Sequence, residues 1–232
     1  MSHEAAWRTD GAKAKSGVCG AVVVAHGGKE VSTEPTTALE PAVLRMVPLA
    51  LAIRHALRGS GAVVWQPRFT VQGWNGELAS PVADLGGVID QIGNEFGDIP
   101  VVLIGHSMGA RAAFRSAGHP AVSAVAGLAP WLPPGEPVAQ LAGRRVLLVH
   151  GTADRITSPE ETWAYAARAR SVADTAAAIE VRGGEHTMLW RAPLWHRLAA
   201  EFSRLSLGLP AGAGEVTRAY RQGLTGQDRT IA

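Results

Sequence analysis

The stretch Val101-Val102-Leu103-Ile104-Gly105-His106-Ser107-Met108-Gly109 constrains the fold of this chain more than any other. Its first four residues are apolar and mostly β-branched, the composition of a strand buried on both faces. Ala110 to Arg115, which follow it, have helical composition, closed by Gly118 and Pro120. A serine on so sharp a strand-to-helix turn is forced toward a strained backbone. Side chains two residues to either side would collide with neighbouring elements, hence the two glycines. With 27 glycines in 232 residues a bare Gly-x-Ser-x-Gly pattern says little, so its weight rests on the strand before it and the helix after it.

The rest of the chain repeats this alternation. Short apolar runs at Gly20 to Ala25, Ala62 to Trp65, Val122 to Leu128, Arg145 to Val149 and Ala178 to Val181 read as strands. Helical spacing of apolar residues runs from Leu39 to Leu57, with Pro41 in the tolerated first turn and Pro48 placed to kink the helix. Further helices are expected from Pro81 to Phe96, after the capping sequence Ser158-Pro159-Glu160-Glu161, and through Leu194, Leu198, Phe202 and Leu205. Strands alternating with helices imply the α/β class: a mostly parallel sheet of about six strands with helices on both faces. The length suits one domain, 18–206, after a loose polar lead-in at 1–17 and before a Gly/Ala-rich tail at 207–232. Pro130 to Gly143 is too short for an inserted domain.

A net charge of +2, with Lys and Arg scattered, gives no nucleic-acid footprint. The uncharged span Ser116 to Gly135 holds four prolines and is no membrane helix. Val18 to Ala25, after Arg8, Lys13 and Lys15, is too short to favour a secretory signal over a core strand. Cys19 has no second cysteine to pair with and reads as a buried, inert thiol. A cytoplasmic protein is expected. No His-Glu-x-x-His, cysteine cluster or phosphate-binding loop occurs, so neither metal nor cofactor is implied.

A serine hydroxyl is a weak nucleophile until a base lies within hydrogen-bond reach and a third group fixes that base's tautomer. Asp154 follows the strand at 145–149, and His186 lies on the Gly-flanked loop after the strand at 178–181. The chain order is Ser, Asp, His, and each residue sits just past a strand, where open α/β sheets build their sites.

Four segments, Ala25-His26-Gly27-Gly28, Gly105 to Gly109, His150-Gly151-Thr152-Ala153-Asp154 and Gly183-Gly184-Glu185-His186, resemble those of α/β-hydrolase-fold serine hydrolases. The resemblance spans about 18–206 and implies a small, capless member without the usual opening antiparallel strands before Gly20. It implies Ser107 as nucleophile, His186 as general base and then acid, and Asp154 as orienting acid, with Glu136 the alternative acid. The oxyanion hole would use the backbone N–H of Met108 and that of Gly28, or of its neighbour Lys29. The implied reaction is hydrolysis of a small-molecule carboxylic ester or thioester. A non-catalytic small-molecule binder on the same fold, or a biosynthetic acyltransferase or carbon–carbon hydrolase, are the alternatives.

Trp74, Trp131 and Trp190 are candidates for an apolar acyl or aryl pocket, Trp190 being equally suited to the core. Arg68 suits either a substrate carboxylate or a structural salt bridge. His26 reads as fixing the oxyanion turn, and His106 and His150 as packing or local hydrogen-bonding residues.

Overall fold

The computed structural model describes residues 6–8, 17–224 and 230–231. Its strands are β1 (Ala6–Arg8), β2 (Gly20–Ala25), β3 (Ala62–Pro67), β4 (Val101–His106), β5 (Val122–Leu128), β6 (Arg145–Gly151), β7 (Thr175–Val181) and β8 (Thr230–Ile231). They form one sheet in the order β1-β3-β2-β4-β5-β6-β7-β8. The six central strands are parallel, as expected. The expectation that nothing antiparallel precedes Gly20 is corrected: β1 runs antiparallel along β3, pairing Ala6 with Pro67 and Arg8 with Trp65.

Two apolar layers result from period-two alternation along the strands. Ala21, Val23 and Leu103 face a layer containing Leu85, Ile89, Ala112, Phe114 and Tyr165, from α2 (Ser80–Phe96), α3 (Met108–Ser116) and α4 (Pro159–Arg170). Val22, Val24 and Ile104 face Met46, Leu49, Ile53, Trp195 and Phe202, from α1 (Pro41–Ala56) and α5 (Ala192–Ser206). α1 runs on past Pro48, which sits on its exposed face. Ser158 caps α4 by accepting the Glu161 N–H at 3.1 Å.

The tail beyond 206 is more structured than its composition suggested. α6 (Glu215–Leu224) buries Val216 and Ala219 in the second layer, and Tyr220 donates to the Val146 carbonyl at 2.9 Å. The Glu201 carboxylate accepts the N–H groups of Val216 and Thr217, giving the helix start an anionic cap. Cys19 is exposed rather than buried, its thiol donating to the Ser60 carbonyl. Among the described residues no helix is long and apolar enough to cross a membrane.

The chain leaves β2 toward β3 on one side and returns to β4 on the other. The turns after β2 and β4 are therefore neighbours at the switch point.

Candidate active site

Ser107 occupies the turn between β4 and α3 with φ 54° and ψ −120°, a conformation that costs a non-glycine residue of order 1–3 kcal/mol. Two close approaches hold it there. A Cβ on Gly105 would lie 2.3 Å from the Gly109 carbonyl oxygen, and one on Gly109 would lie 2.2 Å from that of His26. The Ser107 N–H donates to the Leu128 carbonyl at 3.2 Å, tying the turn to β5.

His186 and Asp154 are brought to this serine by a backbone contact between their loops. A Cβ on Gly151 would lie 2.1 Å from the Gly184 carbonyl oxygen, which itself accepts the Ala153 N–H at 3.0 Å. His186 Nε2 lies 3.1 Å from Ser107 Oγ, and Nδ1 lies 2.9 Å from Asp154 Oδ2. A charged acid at Nδ1 assigns the proton to that nitrogen and leaves Nε2 as an acceptor facing the hydroxyl.

Asp154 is fully buried at its side chain. Burial alone would raise its pKa, but bonds from His150, His186 and the N–H groups of Thr157 and Ile156 outweigh it and hold the carboxyl far below the usual range. His150 is the participant that sequence reasoning gave only a local role. Its Nε2 lies 3.0 Å from the same Asp154 oxygen that meets His186, and its Nδ1 is 2.7 Å from Thr162 Oγ1. Thr157 Oγ1 also donates to that oxygen, at 3.1 Å. The His-Gly-x-x-Asp spacing was a visible signal for this arrangement, since a β6 end that turns sharply brings residues 150 and 154 together.

The other two motif histidines brace the backbone. His106 Nε2 donates to the His186 carbonyl at 2.8 Å, and burial first, then the neighbouring His186, push the His106 pKa down to about 3. His26 Nδ1 donates to the Gly27 carbonyl at 2.6 Å while Nε2 accepts the Phe69 N–H at 3.1 Å; burial pushes its pKa down to about 4. Both imidazoles are thus neutral at neutral pH.

The turn after β2 separates the two oxyanion candidates. The Lys29 N–H is spent on the Gln72 carbonyl at 2.7 Å, whereas the Gly28 N–H has no hydrogen-bond partner among the described residues. A Cβ on Gly28 would lie 2.4 Å from the Gln72 carbonyl oxygen, so only glycine fits. Met108 opens α3, and its N–H therefore lacks an acceptor within the helix.

The remaining candidates fall elsewhere. Glu136 is no partner of His186: it is buried and pairs with Arg111 and Arg115, the latter at 2.7 Å. Trp74 does not line an open site; it is 3% exposed, with the Arg111 guanidinium 4.0 Å from its ring centroid and Trp131 edge-on at 6.2 Å. Trp131 is half-buried against the same guanidinium. Trp190, four residues past His186, is 61% exposed, not core. Arg68 is half-buried and has no ion-pair partner among the described residues. A cleft of about 260 Å³ opens beside the β2 turn, between Gly27 and Gly28 on one side and the start of α1 on the other.

A family model described as the alpha/beta hydrolase family matches residues 22–231. No curated relative is similar enough in sequence to match. Est1E from Butyrivibrio proteoclasticus, solved with ferulic acid bound, is similar with a TM-score of 0.63 and 14% identity, over 88% of this chain and 95% of its own. An esterase from Pyrobaculum calidifontis gives 0.62 and 15%, over 82% and 76% of the two chains. A serine hydrolase without a lid, from Xanthomonas campestris, gives 0.58 and 19%, over 83% and 84%. At these identities the likeness is one of fold. Consistent with the lidless relative, only residues 129–144 separate β5 from β6.

Proposed function

We propose that this chain, which belongs to the alpha/beta hydrolase family, hydrolyses a carboxylic ester or thioester through an acyl-enzyme on Ser107. The observation that carries the reading is the continuous line from Ser107 Oγ to His186 Nε2, 3.1 Å, and from His186 Nδ1 to Asp154 Oδ2, 2.9 Å.

His186 Nε2 takes the Ser107 proton as Oγ attacks the acyl carbonyl. The imidazolium so formed is stabilised by the Asp154 carboxylate, which its bonds keep ionised. The developing oxyanion is received by the N–H groups of Met108 and Gly28, neither of which has a hydrogen-bond partner among the described residues. Losing one such donor typically costs about 2.7–4 kcal/mol of transition-state stabilisation. His186 returns its proton to the leaving alcohol or thiol, then activates water to release the acid and restore Ser107.

The test is mass spectrometry of the intact protein after treatment with a fluorophosphonate, with peptide mapping. A single adduct on Ser107, absent in Ser107→Ala, together with turnover of aryl esters, is the expected result. A folded protein that takes no label, or a Ser107→Ala variant that keeps full turnover, would overturn the reading.

A further inference from the structure

The cleft beside the β2 turn carries an unbalanced charge. Gly27 and Gly28 form one wall; Gly27 packs directly on the nucleophile, since a Cβ there would lie 3.2 Å from Ser107 Cβ. Lys29, Gln72 and, from α1 and the residue preceding it, Arg45 and Glu40 are its charged or amide-bearing lining, beside the apolar Pro41 and Ala42. Glu40 is occupied: its Oε1 accepts from Gln72 Nε2 at 3.1 Å. Arg45 is half-buried and, among the described residues, has neither a carboxylate within ion-pair distance nor a hydrogen-bond acceptor. A half-exposed guanidinium keeps part of its hydration, and a carboxylate entering the cleft would replace that water with a charge-assisted pair. Burial is the cause that depresses its pKa, and no acid offsets it. With His26 neutral, two cations and one engaged carboxylate leave the cleft net positive.

We propose that this cleft is an anion subsite of the hydrolase, in which Arg45 pairs with a carboxylate carried by the substrate a few carbons from the scissile bond. The fork of a guanidinium matches a carboxylate in two parallel hydrogen bonds. A cleft volume of about 260 Å³ leaves room for a short acid-bearing arm. Sequence reasoning looked for this charge at Arg68, which the structure places outside the cleft. The preferred substrates are thus monoesters or monothioesters of short dicarboxylic acids, or esters whose alcohol portion bears an acid. This assignment rests on the hydrolase reading for its chemistry but not for its binding.

Two measurements separate them. The first is the ratio of kcat/KM for a p-nitrophenyl monoester of glutaric acid to that for p-nitrophenyl valerate. Arg45→Met should lower the ratio about tenfold to a hundredfold, and Arg45→Lys should restore part of it. The second needs no turnover: calorimetric titration of Ser107→Ala protein with glutarate. Binding that weakens at least tenfold in Ser107→Ala/Arg45→Met supports the subsite even if Ser107 proves unreactive. A ratio within twofold of the parent in Arg45→Met, or glutarate binding that is absent or indifferent to Arg45, overturns the proposal.

Discussion

Acidification should unfold this protein through two buried histidines that lie outside the Ser107–His186–Asp154 line. His26 and His106 are buried and neutral, with pKa values pushed down to about 4 and about 3; in the unfolded chain both return to near 6.5. Below pH 6.5 the unfolded chain therefore binds protons that the folded one refuses, and stability falls as pH falls, by roughly 1.4 kcal/mol per pH unit for each histidine. The loss from His26 is complete near pH 4 and that from His106 near pH 3. Integrated from pH 6.5 to 4.5, the two contribute about 4 kcal/mol, a large part of a typical total of about 5–15. Burial depresses His196 as well, and the depressed Asp154 adds acid lability of the same sign, lost only as pH drops below the ordinary carboxylate range. Urea unfolding across this pH interval, extrapolated linearly, measures the slope. His106→Gln keeps a donor for the His186 carbonyl but cannot titrate, so it should remove about half of the pH dependence while leaving the rest. Stability constant within about 1 kcal/mol over the interval, or an unaltered slope in His106→Gln, would refute the argument.

Other perturbations follow from the same contacts. His150→Ala removes one donor from the Asp154 oxygen that orients His186, and kcat should fall roughly tenfold to a hundredfold with KM little changed. His150→Gln, which keeps an N–H donor, should recover much of it; equal loss in both, or a change confined to KM, would contradict a positioning role. Glu136→Ala strands Arg111 in an apolar setting beside Trp74, with a cost at the lower end of the about 3–5 kcal/mol expected for breaking a buried pair, because Arg115 is partly solvated. A drop in Tm of roughly 10 °C is expected by scanning calorimetry, and a change of only a degree or two would exclude that assignment.

What could be read in the sequence was what is specified locally. Gly105 and Gly109 mark their turn because a Cβ at either would enter a neighbouring backbone, and the strands β4 and β5 announce themselves as unbroken apolar runs. β7 begins three residues earlier than expected because Ala176 and Ala177 lack a strong strand preference and are held by pairing to β6. β1 is three residues long, too short for any period to show. α6 went unseen because its apolar stripe, which includes Val216, Ala219 and Tyr220, is short and follows a run of glycine and alanine. At the site, the spacing and order of Ser107, Asp154 and His186 singled out three side chains that the fold brings into one hydrogen-bonded line. The placement of Trp74 was not, since it depends on a guanidinium two turns of topology away on α3. Nor was Arg45, which becomes a neighbour of the β2 turn only once α1 has packed on the sheet.

The contact between Gly151 and Gly184 gives the site one rigid jaw. With the two loops touching backbone to backbone, neither can be displaced without moving Asp154 or His186 out of the line they form with Ser107. The cleft beside Gly28, by contrast, is lined on its α1 side by the side chains of Glu40, Pro41, Ala42 and Arg45. A library confined to positions 36–45, several of which line the cleft, is therefore expected to alter ligand preference while leaving the Ser107–His186–Asp154 contacts in place.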